Sequence, residues 1–358
     1  MGARVMVMAG GTGGHVFPAL AVAEELRRRG LEVCWLGTPD SFESRLVPEH
    51  GFPMEQVSIH GLRGNGLGGW LLAPLRILFA CGQAVGALRR RRPALVLGMG
   101  GFASGPGGLV AWLLRTPLVI HEQNAVPGLT NRWLARLASR VLEAFPGSFD
   151  PARRAQLTGN PVRPDIVALA PPAQRMSGRK GRFRLLVLGG SLGARALNAT
   201  LPAALSGLTE SDRPQVRHQA GRGKEEETRA AYQQADVEAD VSPFLEGMAA
   251  AYGWADLVIC RAGALTIAEL AAAGVGAILV PYPYAVDDHQ TRNAAYLVDA
   301  GAALLMPQQA CTPAALTAVL EPLLMDPGKT REMATAARRL ALPDATRRVA
   351  DICQEVLA

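Results

Sequence analysis

The sequence predicts an α/β protein with two Rossmann-like domains, each a doubly wound parallel sheet. The chain has 358 residues, whereas single hydrophobic cores stop growing at about 250–300 residues, so two cores are expected. Apolar runs bounded by glycine alternate with helical stretches rich in Ala, Leu and Arg, which is typical of βαβ units. This alternation restarts after a segment rich in Pro, Arg and Gly at 160–181. We expect domains at 1–162 and 163–342, and a final segment, 343–358, that returns to the first domain.

The elements of the first domain follow from its apolar runs. Strands are predicted at 4–9, 31–36, 95–98 and 117–120, because these runs are short, apolar and end near glycine or polar residues. Helices are predicted at 19–29 and 129–137, where apolar residues recur at helical spacing. The strands are apolar throughout, which indicates a sheet covered by helices on both faces.

The second domain repeats the pattern. Strands are predicted at 184–188, 215–219, 257–260 and 277–280, and a helix at 265–273 lies between the last two. A final helix is predicted at about 345–356, after Pro343. Each domain thus begins with a strand and a glycine turn.

Charge and composition restrict the classes of partner and site that the chain is expected to have. The formal net charge is +6, and residues 1–150 hold 15 Lys and Arg against 10 Asp and Glu. A basic half suits nucleic acid, an anionic membrane surface or a phosphorylated substrate. The five cysteines are scattered, no histidines are spaced as a metal pair and no D-x-D occurs, so no metal site is expected. No apolar segment reaches about 18 residues, so we expect a protein that stays in the cytoplasm.

A glycine loop follows the first strand and reads Gly11-Thr12-Gly13-Gly14-His15. Its glycines permit close backbone approach, and the helix that follows offers N–H groups to an anion or a sugar oxygen. The loop lacks the last glycine and the ribose-binding acid of a dinucleotide fingerprint, which disfavours a nicotinamide cofactor. An ordinary strand-to-helix turn is the alternative.

Other residues of the first domain are candidates for catalysis or ligand binding. His15 lies at the start of a helix, where the helix dipole favours a neutral imidazole that could act as a general base. The alternative is a histidine that only forms a hydrogen bond with the turn. A second glycine-dense strand exit at 98–108 could bind phosphate or could serve close helix packing. His121, Glu122, Gln123 and Asn124 follow another strand, at the end where α/β sheets bind ligands.

The second domain has its own candidate segments. Residues 260–269 form a strand exit, a turn at Gly263 and a helix that carries Glu269. Glu269 could hold a ribose diol, while the backbone amides of the turn contact a uracil edge and phosphates. Residues 287–293, DDHQTRN, pack amides and charges that suit a sugar. An ordinary capped helix and a solvated helix start are the alternatives.

An apolar stripe beside arginines lies at 61–92. Its members are Trp70, Leu71, Leu72, Leu75, Leu78 and Phe79, and the stretch ends on four consecutive arginines, 89–92. Such a stretch can lie in an anionic membrane interface, although core packing is the more frequent cause of an apolar stripe.

Taken together, these segments resemble the MurG family. GGTGGHVFPALA, GLRG, GMGGFASGPGG, HEQNAVPGLTN, TGNPVR, GGSLGA and CRAGALTIAELAAAG with DDHQTRNA follow one another in that family's order. The resemblance covers nearly the whole chain. It implies a GT-B fold, with two Rossmann-like domains facing across a cleft. It also implies an inverting, metal-independent transfer of N-acetylglucosamine from UDP-N-acetylglucosamine to the muramoyl 4-hydroxyl of lipid I, giving lipid II for peptidoglycan.

The same resemblance implies partners and a location. The partners are UDP-N-acetylglucosamine, lipid I (undecaprenyl-diphospho-muramoylpentapeptide) and the anionic inner leaflet, with no cofactor and no nucleic acid. The protein would be peripheral, on the cytoplasmic face of the inner membrane, held by the apolar stripe of the first domain.

The resemblance also assigns roles to residues. The donor site in the second domain would comprise Leu245, Gly263, Ala264, Leu265, Thr266 and Ile267 near the uracil, Glu269 on ribose, Ser191 on the phosphates, and Gln290 with Asn293 on the sugar. Thr12, Gly13, Gly14, Asn124 and Arg163 would complete that site. The base would be His15 or, as the alternative, Glu122.

Other functions share these features. A transferase with another lipid acceptor, such as diacylglycerol, would use the same two domains, and so would a UDP-N-acetylglucosamine 2-epimerase, which has no acceptor. The apolar, basic stretch favours a lipid acceptor over the epimerase. A binding subunit that needs a partner is a third alternative, and the presence of both domains and of His15 in one chain weighs against it.

Overall fold

The computed structural model describes residues 2–59, 66–190 and 193–358, without the side chains of residues 66–72 and 286. The GLRG segment at 61–64 and Ser191, both predicted above to matter, lie outside the described residues. The chain divides into one unit of Met1–Val162 with Pro343–Ala358 and a second unit of Arg163–Leu342.

The first unit is built on a parallel sheet. Its described strands are β1 (Arg4–Met8), β2 (Glu32–Gly37), β3 (Met54–Gln56), β4 (Leu95–Gly98), β5 (Leu118–Glu122), β6 (Arg140–Glu143) and β7 (Gln156–Leu157). Their order is β3-β2-β1-β4-β5-β6-β7, and every pairing is parallel. The chain thus reverses its direction of winding between β1 and β4, the kind of position where open α/β sheets bind ligands.

Helices cover both faces of this sheet. They are α1 (Gly13–Arg28), α2 (Phe42–Glu49), α3 (Gly66–Arg91), α4 (Ser104–Leu113) and α5 (Leu129–Leu134). Successive residues of a strand point to opposite faces: Val5 and Val7 join one hydrophobic core, and Met6 and Met8 join the other. A strand buried on both faces reads as a continuous apolar run, which is how β1 reads in the sequence.

The second unit has the same architecture. Its described strands are β8 (Arg184–Leu188), β9 (Gln215–Gln219), β10 (Asp240–Ser242), β11 (Leu257–Cys260), β12 (Gly276–Leu279) and β13 (Ala303–Leu305), all parallel, in the order β10-β9-β8-β11-β12-β13. Its helices are α6 (Pro164–Val167), α7 (Pro172–Arg175), α8 (Arg195–Ser206), α9 (Glu225–Gln234), α10 (Met248–Trp254), α11 (Ala264–Ala273), α12 (His289–Val298), α13 (Pro313–Met325) and α14 (Pro327–Arg339). The predicted fold of two Rossmann-like parallel sheets is confirmed.

The last helix, α15 (Ala345–Leu357), belongs to the first unit. Val349, Ala350 and Cys353 are buried in the core that also contains α1. At the rim of this contact Arg29 donates to Asp351 Oδ1 at 2.6 Å and to Gln354 Oε1 at 2.7 Å. Apolar burial and two polar contacts together fix the end of the chain on α1.

Candidate active site

The two glycine turns of the first unit lie at its winding reversal, after β1 and after β4. A Cβ at Gly101 would lie 2.6 Å from Gly10 N, and a Cβ at Gly100 would lie 2.6 Å from His15 Nδ1. Gly100 and Gly101 also have φ of +92° and +89°, values that side chains other than glycine rarely adopt. The close approach of the two turns therefore depends on glycine at both positions.

A buried carboxylate supports the first turn. Glu43 in α2 is fully buried and accepts hydrogen bonds from Gly11 N at 3.0 Å, Thr38 N at 3.1 Å and Thr38 Oγ1 at 2.7 Å. Burial alone would raise its pKa, but the hydrogen bonds from Thr38 and Gly11 outweigh burial and lower the pKa below its ordinary value. Sequence reasoning missed Glu43, because nothing in the local pattern distinguishes it from a surface acid in a helix.

His15 lies in the first turn of α1, which begins at Gly13 after the N-cap Thr12. Its ring is partly exposed, and Nδ1 lies 2.8 Å from Gln123 Oε1, just beyond β5. The structure thus joins two segments that the sequence singled out separately. Thr12, Gly13 and Gly14 are exposed or partly exposed beside it, so their backbone groups are open to a ligand.

Glu122, the alternative base, is 2% exposed and has both oxygens engaged. Oε1 accepts from Asn124 N at 2.9 Å and from Asn124 Nδ2 at 3.2 Å, while Oε2 accepts from Asn131 Nδ2 at 2.8 Å and Gly128 N at 3.2 Å. A carboxylate held by four donors is suited to organising the loop after β5. His15 is partly exposed, whereas Glu122 is buried with both oxygens engaged.

In the second unit, Glu269 and Arg163 are brought together. Glu269 in α11 is 6% exposed; its Oε1 accepts from Arg163 Nη2 at 3.0 Å and its Oε2 from Tyr252 Oη at 3.1 Å. Burial raises the pKa of Glu269, although Arg163 and Tyr252 oppose that rise. Tyr252, fully buried in α10, is a partner that sequence reasoning did not name.

The turn before α11 is braced by two side chains of α12. Gln290 Oε1 accepts from Ala262 N at 3.3 Å and from Tyr282 N at 2.9 Å. Asn293 Nδ2 donates to Ala262 O at 3.2 Å, and Asn293 is fully buried. The backbone N–H and C=O of Ala262 are therefore both hydrogen-bonded to side chains of α12. These contacts fix the backbone that leads through Gly263 into α11.

The remaining predicted donor residues flank this turn. Gly263 is the N-cap of α11, with extended φ and ψ of −66° and 143°. Leu265 and Thr266 are partly exposed, whereas Ala264 and Ile267 are buried. Leu245 is partly exposed in the segment after β10. Gly263 thus places a helix start beside these residues, and helix N-termini are positions that bind anions.

Part of the apolar stripe is exposed on α3. Leu75, Leu78 and Phe79 expose 64%, 69% and 63% of their surface. Trp70, Leu71 and Leu72 lie within α3, but their side chains are outside the described set. The neighbouring α4 ends in Trp112 and Leu113, which are also exposed. This surface, called here the α3–α4 face, is defined by these described apolar residues of α3 and α4.

Within the described residues, no helix is both long and apolar enough to span a bilayer. Nor do three or more His, Cys, Asp or Glu side chains there come together in a way that could hold a metal ion.

Comparison with known proteins matches both halves of the chain to one family. Residues 5–143 match the glycosyltransferase family 28 N-terminal domain, and residues 184–355 match the glycosyltransferase family 28 C-terminal domain. A Nitrosococcus oceani protein is 58% identical over 356 residues, 99% of each chain. A Marinobacter nauticus protein is 56% identical over 352 residues, 98% of this chain and 97% of that one. Both are named UDP-N-acetylglucosamine--N-acetylmuramyl-(pentapeptide) pyrophosphoryl-undecaprenol N-acetylglucosamine transferase.

Solved structures agree with the sequence matches. The crystal structure of Acinetobacter baumannii MurG superposes with a TM-score of 0.87 at 44% identity and covers 99% of both chains. A Listeria monocytogenes structure titled as a putative UDP-N-acetylglucosamine 2-epimerase has a TM-score of 0.68 at 14% identity. That second likeness shows a shared fold alone.

Proposed function

The chain belongs to the MurG family within glycosyltransferase family 28, and we propose that its first unit binds the lipid acceptor and its second unit the sugar nucleotide. The protein is a UDP-N-acetylglucosamine-dependent N-acetylglucosaminyltransferase that converts lipid I to lipid II. The observation that supports this function is the similarity, along 98–99% of the chain, to the Marinobacter nauticus and Nitrosococcus oceani transferases. The likeness includes both units, which supports the proposal that each unit binds one of the two substrates.

In the proposed reaction, His15 is the general base. It removes the proton from the muramoyl 4-hydroxyl while that oxygen attacks the anomeric carbon of the donor. The bond between the anomeric carbon and the diphosphate oxygen breaks, and UDP leaves with the electron pair. Attack opposite to UDP inverts the anomeric centre. The position of His15 beside two glycine turns, the first of which is exposed or partly exposed at Thr12, Gly13 and Gly14, supports this role.

Negative charge grows on the departing diphosphate and must be stabilised. The positive end of the α11 dipole, at the start of that helix, and the half-exposed guanidinium of Arg163 are the groups proposed for this. Arg163 gives one N–H to Glu269, and its guanidinium carries four further N–H donors. Ser191, outside the described residues, is a further proposed phosphate contact.

The same helix would position the nucleoside and the sugar. Glu269 lies one and a half turns into α11, and its carboxylate would accept hydrogen bonds from the ribose diol. Residues 263–267 and Leu245 would border the uracil. Gln290, whose oxygen is engaged by Ala262 and Tyr282, keeps an amide NH2 group that could donate to the sugar. Asn293 would act indirectly, by holding the backbone of the turn before α11 through its hydrogen bond to Ala262 O.

We further propose that the α3–α4 face meets the anionic inner leaflet. Leu75, Leu78, Phe79 and Trp112 expose a large apolar area in the unit that would hold the lipid acceptor. The arginines at 89–92 follow on the same helix or directly after it. Apolar burial and attraction to anionic lipid act together in such interfaces, so the enzyme would work where its acceptor resides.

The test of the function is UDP release by the purified protein from UDP-N-acetylglucosamine, with and without a lipid I analogue, in EDTA. The proposal expects release that requires the acceptor and survives EDTA. Release without acceptor would instead indicate an epimerase or a hydrolase, and loss of release in EDTA would contradict metal independence.

A further inference from the structure

A line of hydrogen-bonding groups runs from the surface of the first unit into its core. His15 Nδ1 lies 2.8 Å from Gln123 Oε1, and Gln123 Nε2 lies 3.1 Å from His121 Nδ1. The other ring nitrogen of His121, Nε2, lies 2.9 Å from Gly159 O. His121 and Gln123 are 0% and 1% exposed, so water does not substitute for any contact at the inner end of this line.

The inner end of the line fixes every proton along it. Gly159 O is a carbonyl oxygen and can only accept, so His121 Nε2 must carry a hydrogen. Burial lowers the pKa of His121 to about 4, so its ring is neutral at physiological pH. A neutral imidazole with a hydrogen on Nε2 has a bare Nδ1, which is an acceptor.

That acceptor orients the amide of Gln123. Only the NH2 group can face a bare ring nitrogen, and the same NH2 lies 3.4 Å from His121 O, a second acceptor. The amide oxygen must then face His15, and it can only accept. His15 Nδ1 therefore carries a hydrogen, and in the neutral ring this leaves the lone pair on Nε2.

We propose that Gln123 and His121 are positioning residues that hold His15 in the Nδ1–H tautomer, with Nε2 free to take the acceptor's proton. The inference rests on the proposed function, in which His15 is the base. Two features keep this line of hydrogen-bonding groups in place, one a hydrogen bond and the other a steric limit. Asn160 Nδ2 donates to Gln123 O at 3.0 Å, and Gly100 leaves no room for a side chain beside the His15 ring.

The tautomers can be measured directly in the wild-type protein. Long-range ¹H–¹⁵N correlation spectra of the histidine-labelled protein at neutral pH distinguish a protonated ring nitrogen from a bare one. Assignment uses His15→Gln and His121→Asn variants. The expected result is Nδ1–H for His15 and Nε2–H for His121. A His15 ring with its hydrogen on Nε2 would overturn the proposal.

A variant tests whether the tautomer matters for rate. Gln123→Met keeps the length of the side chain and removes both hydrogen bonds. We expect kcat to fall about 10²-fold, the lower end of what a positioned general base contributes, with KM for UDP-N-acetylglucosamine changed less than twofold. Gln123→Glu keeps an oxygen towards His15 and should recover part of kcat. An unchanged kcat in Gln123→Met, or equal loss in both variants, would contradict the role.

Gln83→Met is the matched control. Gln83 Oε1 accepts from Ser58 N at 2.7 Å in the same unit, so this variant also removes a glutamine hydrogen bond and should leave kcat and the His15 tautomer unchanged. The spectra do not depend on activity. A wild-type enzyme without transferase activity would refute the proposed function and leave the tautomer result standing, whereas the wrong tautomer in an active enzyme would refute only the positioning role.

Discussion

His15 shows how much of the proposed chemistry depends on single side chains. The residue lies where helix, glycine turn and strand end meet, and each neighbour has a separate effect. Gly100 gives the ring its space, Gln123 faces Nδ1, and Glu43 holds the backbone of the turn from behind. Removing any one of these would change the geometry of the base without changing its identity.

Replacement of His15 by alanine tests the base itself. We expect His15→Ala to lower kcat by about 10²- to 10⁴-fold, the contribution of general acid–base catalysis, and to leave the affinity for UDP-N-acetylglucosamine nearly unchanged. Steady-state kinetics and a separate binding measurement distinguish the two effects. His50→Ala, which removes an exposed histidine paired with Glu24, is the control. Equal losses in kcat and in donor affinity would exclude His15 as the base.

Replacement of Glu269 by glutamine tests the donor site. The change keeps the shape of the side chain and removes the charge that would accept from a ribose diol. Hydrogen bonds to charged groups contribute about 1.5–3 kcal/mol, so we expect the Kd for UDP to rise roughly tenfold or more. Calorimetry measures this, with Glu226→Gln on the exposed surface of α9 as control. A Kd within twofold of wild type would restrict Glu269 to a structural role.

Sequence reasoning found the strand-end residues better than their contacts. His15, Glu122 and Asn124 were foreseeable, because the carboxyl ends of parallel strands meet at one edge of a sheet. The contact between His15 and Gln123 joins residues 108 positions apart and depends on side-chain rotamers, which no local pattern encodes. The brace of Gln290 and Asn293 on Ala262 was unforeseen for the same reason.

At the scale of elements, α1 and α15 are joined by one basic residue. Arg29 is the C-cap of α1 and donates to Glu25 Oε1 at 2.7 Å in α1 and to Asp351 Oδ1 at 2.6 Å in α15. Glu25 thus belongs to a charge network that crosses between helices. Hydrogen bonds from Arg28 and Arg29 lower its pKa from 4.5 to about 2.

This lowered pKa predicts a pH-dependent stability. A carboxylate whose pKa is lower in the folded state stabilises that state above its unfolded pKa, and the stabilisation is lost as pH falls to the folded pKa. Glu25→Gln should therefore unfold at a lower temperature than wild type at pH 7. The difference should shrink between about pH 4.5 and pH 2. Thermal unfolding across that range measures it, with Glu24→Gln as the adjacent control, and a difference independent of pH would contradict the assignment.

The α3–α4 face gives a second prediction for an element. Leu75→Ser with Phe79→Ser should weaken binding to anionic vesicles by roughly tenfold or more, since burying each such side chain contributes about 1.5–3 kcal/mol. Vesicle sedimentation with phosphatidylglycerol measures this. Met325→Ser removes a side chain of similar exposure in the second unit and should bind as wild type does. Unaltered binding by the double variant would remove α3 from the interface.

The strands that the sequence did not predict are mostly short edge strands. β3, β7, β10 and β13 have two or three residues each, too few for a pattern of apolar residues to emerge. β6, with four residues, was also missed. The central strands β1, β4, β8 and β11 were predicted to within a residue, because burial on both faces makes them apolar throughout.

At the scale of the whole molecule, two similar parallel sheets form the two units, to which we assign the two proposed binding roles. In each unit the winding reverses beside the first strand, between β1 and β4 and between β8 and β11, and each reversal carries a glycine turn followed by a helix start. The repeated alternation of strand and helix made this architecture predictable. The roles of the two units are not a property of the fold, since an epimerase-titled structure at 14% identity shares it.

The proposed reaction is a single displacement, in which His15 removes the proton of the acceptor hydroxyl while the oxygen attacks the anomeric carbon. The most direct measurement is the anomeric configuration of the new glycosidic bond, read by NMR from the product of UDP-N-acetylglucosamine and a lipid I analogue in EDTA. The donor sugar is α-linked to UDP, so one displacement predicts a β-linked product. An α-linked product would require a different route and would contradict the mechanism.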